Sequence, residues 1–204
     1  MTLQNGLIHR DRAFLWSDEG HFDAATGELV LLQSKAIQCQ WPPFAVSASS
    51  NGGNPHDIFS AIGEAAPSDL SALLSACADA LRAYAAQGYL ANLLIAAWDN
   101  EPRLFFASTH EAHGEPAFIP FEVLHHVSTG QHLPAYHAAV AEGLTPRSMA
   151  RLIDAQIASP FALEGPLSAS GERTWYGGGV VQIEVSRTGV TERFIRMVET
   201  LEAA

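Results

Sequence analysis

Thr2-Leu3-Gln4-Asn5-Gly6-Leu7-Ile8 opens the chain, and Ala13-Phe14-Leu15-Trp16-Ser17-Asp18 follows after the polar turn His9-Arg10-Asp11-Arg12. Strand-forming residues on both sides of a charged turn, Leu7–Ile8 and Ala13–Trp16, predict a β-hairpin. A second pair is expected around Ala25-Thr26-Gly27-Glu28, with apolar Leu29–Leu32 on its far side. Ala36–Gln40 and Phe44–Ser47 continue the strand-like run. Pro42-Pro43 separates them, because a central strand does not tolerate proline. Ser49-Ser50-Asn51-Gly52-Gly53 reads as a turn or helix entrance.

Beyond this point the apolar period changes. A short helix is expected near Asp57–Glu64. A longer one, with Ser68 as its N-cap, follows the spacing of Leu70, Leu73, Leu74, Cys77, Leu81 and Tyr84 until Gly88. Leu93–Trp98 and Arg103–Ala107 predict two strands around Asp99-Asn100-Glu101-Pro102, and Phe118–Val127 has strand character. Thr145-Pro146 starts another helix, with Met149, Leu152, Ile153 and Ile157 on its apolar face. Gly177-Gly178-Gly179 leads into a buried strand, Val180–Val185, and Arg193–Leu201 is helix-like. Hairpins with grouped helices favour a layered antiparallel core over a doubly wound parallel sheet. No Gly-x-Gly-x-x-Gly follows the first strand, which removes support for dinucleotide binding. With no linker or repeat, residues 1–204 are expected to form a single domain.

The chain is 48% hydrophobic and 16% charged, the balance of a compact globule. A formal charge of −11 argues against nucleic acid as a partner, since phosphate binding needs clustered Lys and Arg. Cys39 and Cys77 match no disulfide framework or metal-ligand spacing. No signal peptide is read in Met1–Arg12, and no apolar run is long enough for a bilayer, so a cytoplasmic location without membrane contact is expected. Lys35 is the single lysine among eleven basic residues. Lysine, unlike arginine, can lose its proton when its surroundings lower its pKa.

Thr2, Asp18 and Lys35, in that order and at these spacings, resemble the start of a mature proteasome β subunit and of the HslV peptidase, N-terminal-nucleophile (Ntn) hydrolases. Phe44–Gly53, Leu93–Asp99 with Arg103–Phe106, Val127-Ser128-Thr129-Gly130 and Gly178–Val185 extend the resemblance over nearly the whole chain. It implies an α/β (α+β) fold, a four-layer αββα sandwich with two antiparallel sheets between helix layers. It also implies a homo-oligomer and five site residues: Thr2 as nucleophile, Asp18, Lys35, a backbone N–H around Ser49, and Thr129. Before the last strand the family usually carries an Asp and a Ser that support the nucleophile's amine. Thr174 and Gly177 stand there in this chain, and Gly177 offers no side chain.

The chemistry these positions would support is amide hydrolysis. A threonine hydroxyl needs a base, and at a free N-terminus the α-amine, with a pKa of about 7.7–8.0, supplies one. Thr2 therefore requires removal of Met1. Lys35 would keep that amine neutral, Asp18 would hold Lys35, and an amide near Ser49 would stabilise the oxyanion. The substrate is expected to be a peptide or a small amide, with no cofactor and no metal. A non-catalytic scaffold and a small-amide acylase are the alternatives. Taken singly, each residue has an ordinary structural role: a surface ion pair for Asp18 and Lys35, turn satisfaction for Ser49 and Thr129. His110, His113, His125, His126, His132 and His137 crowd one third of the chain, but lack a ligand spacing and read as surface histidines.

Overall fold

The structure, a computed structural model, describes residues 3–22, 29–158 and 177–198. The opening hairpin is present, and longer than its apolar residues indicate. β1 (Gln4–His9) pairs antiparallel with β2 (Arg12–Asp18), from Gln4 opposite Ser17 to His9 opposite Arg12. The turn is tight, with Arg10 in the left-handed region at φ 57°.

The chain continues through β3 (Gly20–Phe22), β4 (Leu29–Leu32), β5 (Ala36–Cys39), β6 (Phe44–Asn51), α1 (His56–Ala65) and α2 (Leu70–Ala85). β7 (Leu90–Asp99), β8 (Glu101–Ser108), β9 (Phe121–Glu122), β10 (His125–Val127), α3 (Pro134–Ala141) and α4 (Pro146–Ala158) follow. β11 (Gly178–Ser186) and β12 (Gly189–Val198) complete the described chain. Strand order is β10-β1-β2-β11-β12 in one sheet and β5-β6-β7-β8-β9 in another, with β3-β4 forming a third. Every described pairing is antiparallel.

The expected four-layer αββα sandwich with two sheets is corrected by this arrangement. The described residues form a β-rich fold of three antiparallel sheets and four helices. One local misreading, and the separation of an expected hairpin into a small sheet of its own, account for much of the difference. The helix-like closing stretch from Arg193 is instead the body of β12, which pairs with β11 from Ser186–Gly189 back to Gly178–Val198. Leu29–Leu32 belongs to a hairpin of its own and is exposed at all four positions. Smaller differences follow the same logic. Ser49–Asn51 extend β6 rather than turning. Asp69, not Ser68, caps α2 by accepting from the Ala72 N–H at 2.9 Å. Thr145 does cap α4, its Oγ1 accepting from the Ser148 N–H at 3.1 Å. The turn around Ala25–Glu28 lies outside the described residues.

Alternation along the strands divides the core into three. Val46, Ala48, Leu93 and Ile95 pack against α1 and α2 through Ile58, Ile62, Leu73 and Leu81. Leu3, Leu7, Phe14 and Trp16 pack against α4 through Met149, Leu152 and Ile153. The opposite faces meet between the two large sheets, where Ala13, Leu15, Ile183 and Val185 face Ala45, Leu94, Ala96 and Leu104. Burying each such Leu or Ile contributes about 1.5–3 kcal/mol. Among the described residues no helix is long and apolar enough to cross a membrane.

Gly6 sets the distance between these sheets. A Cβ there would lie 2.7 Å from Leu94 Cδ2 and 3.1 Å from Leu104 Cδ2. Gly6→Val is therefore expected to overpack the contact and destabilise the protein by about 1–3 kcal/mol. Urea unfolding with a midpoint unchanged from wild type would contradict this close approach.

Candidate active site

The site is built where β1 begins. The register of the hairpin, extended by one step beyond Gln4 and Ser17, brings Leu3 beside Asp18, the last residue of β2. The Leu3 N–H donates to Asp18 Oδ1 at 2.8 Å. On the other flank of β2 lies β11, and the Gly177 N–H just before it donates to Asp18 Oδ2 at 3.3 Å. Lys35 completes the set, its Nζ lying 3.2 Å from Oδ1 and 3.1 Å from Oδ2. Asp18 is fully buried and Lys35 is 4% exposed, so the surface ion pair considered from sequence is a buried one.

Lys35 sits immediately before β5. Its carbonyl accepts from the Ala48 N–H at 3.0 Å, and the Ser34 hydroxyl bonds the carbonyl of Ala36 at 3.0 Å. These contacts fix the backbone and send the side chain inward. Burial lowers the Lys35 pKa below its ordinary value, against the opposing pull of Asp18. Loss of hydration outweighs the counterion because an ammonium ion is strongly hydrated. Lys35 thus meets Asp18 as a buried ion pair whose ammonium form is less favoured than it would be in water.

Ser49 lies in β6 opposite Asn92, on the same face as Ala45, and is buried. In an antiparallel strand successive N–H groups point to opposite sides. Ala48 donates towards Lys35, so the Ser49 amide points to β7 and the Ser50 amide points back to the Lys35 side. β5 begins only at Ala36, paired with Ser47, and does not run alongside Ser50. Thr129 follows β10, buried, where the register of Asn5 with Val127 extends to Leu3. Thus Asp18 joins Lys35 to Leu3, the residue before β1, Thr129 lies beside Leu3 on the β10 side, and Ser49 lies on the adjacent sheet. Thr2 and Thr174 lie outside the described residues.

Several supporting groups are not evident from sequence. Gly177, without a side chain, contributes its backbone N–H instead. Gln4 Nε2 crosses between the sheets to Ser47, donating to its carbonyl at 3.0 Å and its hydroxyl at 3.2 Å. Asn5 Nδ2 donates to Gln156 Oε1 at 2.7 Å, and Gln156 Nε2 donates to the Thr129 carbonyl at 2.6 Å. The amides at positions 4 and 5, in a strand buried on both faces, were the available signal. The histidine-rich third forms no metal centre among the described residues. His113, His125 and His126 instead help line a cavity of about 270 Å³ beside β10.

No protein-family model and no curated protein matches the sequence. Solved structures do. A Gly-1 mutant of Anbu from Hyphomicrobium sp. strain MC1 is 16% identical with a TM-score of 0.68, covering 98% of this chain and 89% of that one. Anbu from the same strain is 15% identical with a TM-score of 0.64 and the same coverage. The chain shares the Anbu fold. This corrects the resemblance to proteasome β subunits and HslV drawn from sequence: the matching architecture is Anbu's. Asp18 ends one hairpin and Lys35 lies in one loop, and such short-range spacing does not distinguish between related arrangements of sheets.

Within this Anbu-like fold, Lys35 can be observed directly because it is the sole lysine. Its side-chain nitrogen is expected to titrate below 10.5 by NMR, and a value at or above that would contradict the burial described. Asp18→Asn, which strands the ammonium, is expected to cost roughly 3–5 kcal/mol in denaturant unfolding.

Proposed function

We propose that the chain is a threonine-type amide hydrolase, most simply a peptidase, in which Thr2 becomes the nucleophile once Met1 is removed. The observation that carries this reading is the buried Lys35–Asp18 pair, whose carboxylate also holds the amide of Leu3, the residue after Thr2. A fully buried ion pair is costly and weak evidence for stability alone. Its position one residue from a chain terminus that could supply both hydroxyl and amine favours a chemical role.

In this reading the α-amine of processed Thr2 takes the hydroxyl proton as the oxygen attacks the scissile carbonyl. The Ser50 N–H, directed to the Lys35 side, serves as the oxyanion donor near Ser49. The proton passes to the leaving amine, the C–N bond breaks, and an ester to Thr2 remains. Water then hydrolyses that ester, with the same amine acting as base. Lys35 holds the amine neutral through like-charge proximity, and Asp18 positions Lys35 and Leu3 together. Thr129, its carbonyl fixed by Gln156, borders the site.

The proposed setting is cytoplasmic, as a homo-oligomer. Support for assembly comes from exposed apolar residues: Val30 at 68%, and Phe194 and Met197 at 57% and 59% on edge strand β12. Clustered exposed apolar residues often mark interaction surfaces. Light scattering is expected to give a mass above that of one chain, and a monomer at all concentrations would count against assembly.

The decisive test of the chemistry joins mass spectrometry to labelling. Protein from its own host is expected to lack Met1 and to form a cyclic adduct with a peptide epoxyketone, using amine and hydroxyl together. Thr2→Ala should prevent the adduct. Lys35→Arg should abolish hydrolysis, since arginine does not deprotonate, and its larger head at this buried position should cost about 1–3 kcal/mol of stability, so the variant is assayed under conditions where it is folded. Retention of Met1 in all molecules, or labelling that persists in Thr2→Ala, would sink the hydrolase reading.

A further inference from the structure

β9 and β10 are the end strands of the two large sheets, and the chain steps from one to the other through Val123 and Leu124. The cavity of about 270 Å³ beside this step is lined by none of the candidate-site residues. Phe121, Val123 and Val127 give it apolar walls, and His113, His125, His126, Gln131 and Tyr136 bring polar atoms to it. His113 and His125 are exposed, so the cavity is open to solvent, while His126 is half-buried.

Four rings pack here as one unit. His126 stacks on Phe106 at 4.6 Å, and His113 meets Phe106, Phe121 and His126 edge-on at 5.3, 6.0 and 6.0 Å. His113 is held in the left-handed region at φ 55°, a conformation that costs free energy in a residue with a Cβ. Gln131 Nε2 donates to the Val127 carbonyl at 2.8 Å. The ring nitrogens of His113, His125 and His126 and the Tyr136 hydroxyl bond no other described residue. Convergent polar groups without protein partners, set beside apolar walls, are the features of a small-ligand site.

We propose that this cavity binds a small aromatic carboxylate, its ring against Phe121, Val123 and Val127 and its carboxylate among the three histidines and Tyr136. The site stands independently of the hydrolase reading. Its size is suitable, because a cavity of about 150 Å³ takes benzene. The larger space here holds one ring and a carboxyl group, and little more.

Charge favours an anion. No Asp or Glu lines the cavity. Glu122, on β9, is exposed and bound by Arg103 at 2.8 Å, and Glu111 and Glu115, on either side of His113, are exposed. Burial, with like charge from His113 and His125, holds the His126 pKa down to about 3. A carboxylate supplies the missing counterion and turns the protonated ring's nitrogens into donors. A neutral ligand does not, and an ammonium ion would add to the repulsion.

Binding therefore raises the His126 pKa. The added affinity is full below the free value and is lost as pH rises through the value in the complex. The carboxylate itself protonates near about pH 4. Affinity is thus expected to increase from about pH 7 to about pH 5 and to fall again in stronger acid.

The test titrates benzoate and benzyl alcohol, one ring with and without the charge, into the full chain. Calorimetry reads affinity, and NMR follows the histidine rings. At about pH 5 benzoate is expected to bind about tenfold more tightly, to raise the His126 pKa, and to shift resonances of β9, β10 and the first turn of α3. His126→Phe keeps the ring stack but removes the nitrogens, and should abolish the preference while benzyl alcohol still binds. If that variant does not fold, His125→Gln and Tyr136→Phe decide, each expected to reduce the preference about threefold. Equal binding of the two ligands, a preference unchanged in the variants, or shifts confined to another surface overturns the proposal. No readout requires catalysis, so retention of Met1 would remove the hydrolase and leave this site standing.

Discussion

The Asp18 carboxylate ties together the start of β1, the loop before β5 and the start of β11, three segments from distant parts of the chain. It does so without access to solvent. Removing a carboxylate and an ammonium from water costs several kcal/mol for each ion. That cost is tolerated when each lone pair has a donor, and here two backbone amides and Lys35 provide them. An apolar pair of similar volume would fill the same space with less strain on the solvation balance. It could not fix the direction of the Leu3 N–H, and therefore the place where β1 begins.

Around that carboxylate the protein arranges a second polar layer. Gln4 reaches one way, across to Ser47 on the facing sheet, and Asn5 reaches the other way, to Gln156 on α4. Successive residues of a strand point to opposite faces, so these two amides anchor both sides of β1 at the same level. Buried amides of this kind are specific rather than strongly stabilising, because each mispairing leaves an unsatisfied group. The result is a rigid strand end, held on its two faces and on both edges.

Much of this was legible in the residues and some was not. The opening hairpin, α2, α4 and β7–β8 were readable because each has its own periodicity and its own cap or turn. Arg193–Val198 was misread: its charged and apolar residues fit a short helix locally, and only pairing with β11 makes it a strand. Leu29–Leu32 was readable as a strand, but its separation into a small exposed sheet depends on what lies beneath it. Lys35 stood out because the chain holds only one lysine. The contribution of Gly177 was hidden, since a backbone N–H leaves no trace in residue identity. The same holds for Ser50, whose amide direction is fixed only once the β6 pairing is known.

The route of the chain around Asp18 has a consequence for biosynthesis. Leu3, Asp18 and Lys35 leave the ribosome early, whereas Gly177 lies 159 residues after Asp18. At roughly 5–20 residues per second, about 7–28 seconds separate Lys35 from Gly177. Until β11 is made, one edge of β2 is unpaired and the carboxylate stays hydrated. The Asp18 carboxylate therefore gains its last donor only when the closing strands of the described chain are made. Topology alone places the sealing of this buried group among the late steps of assembly.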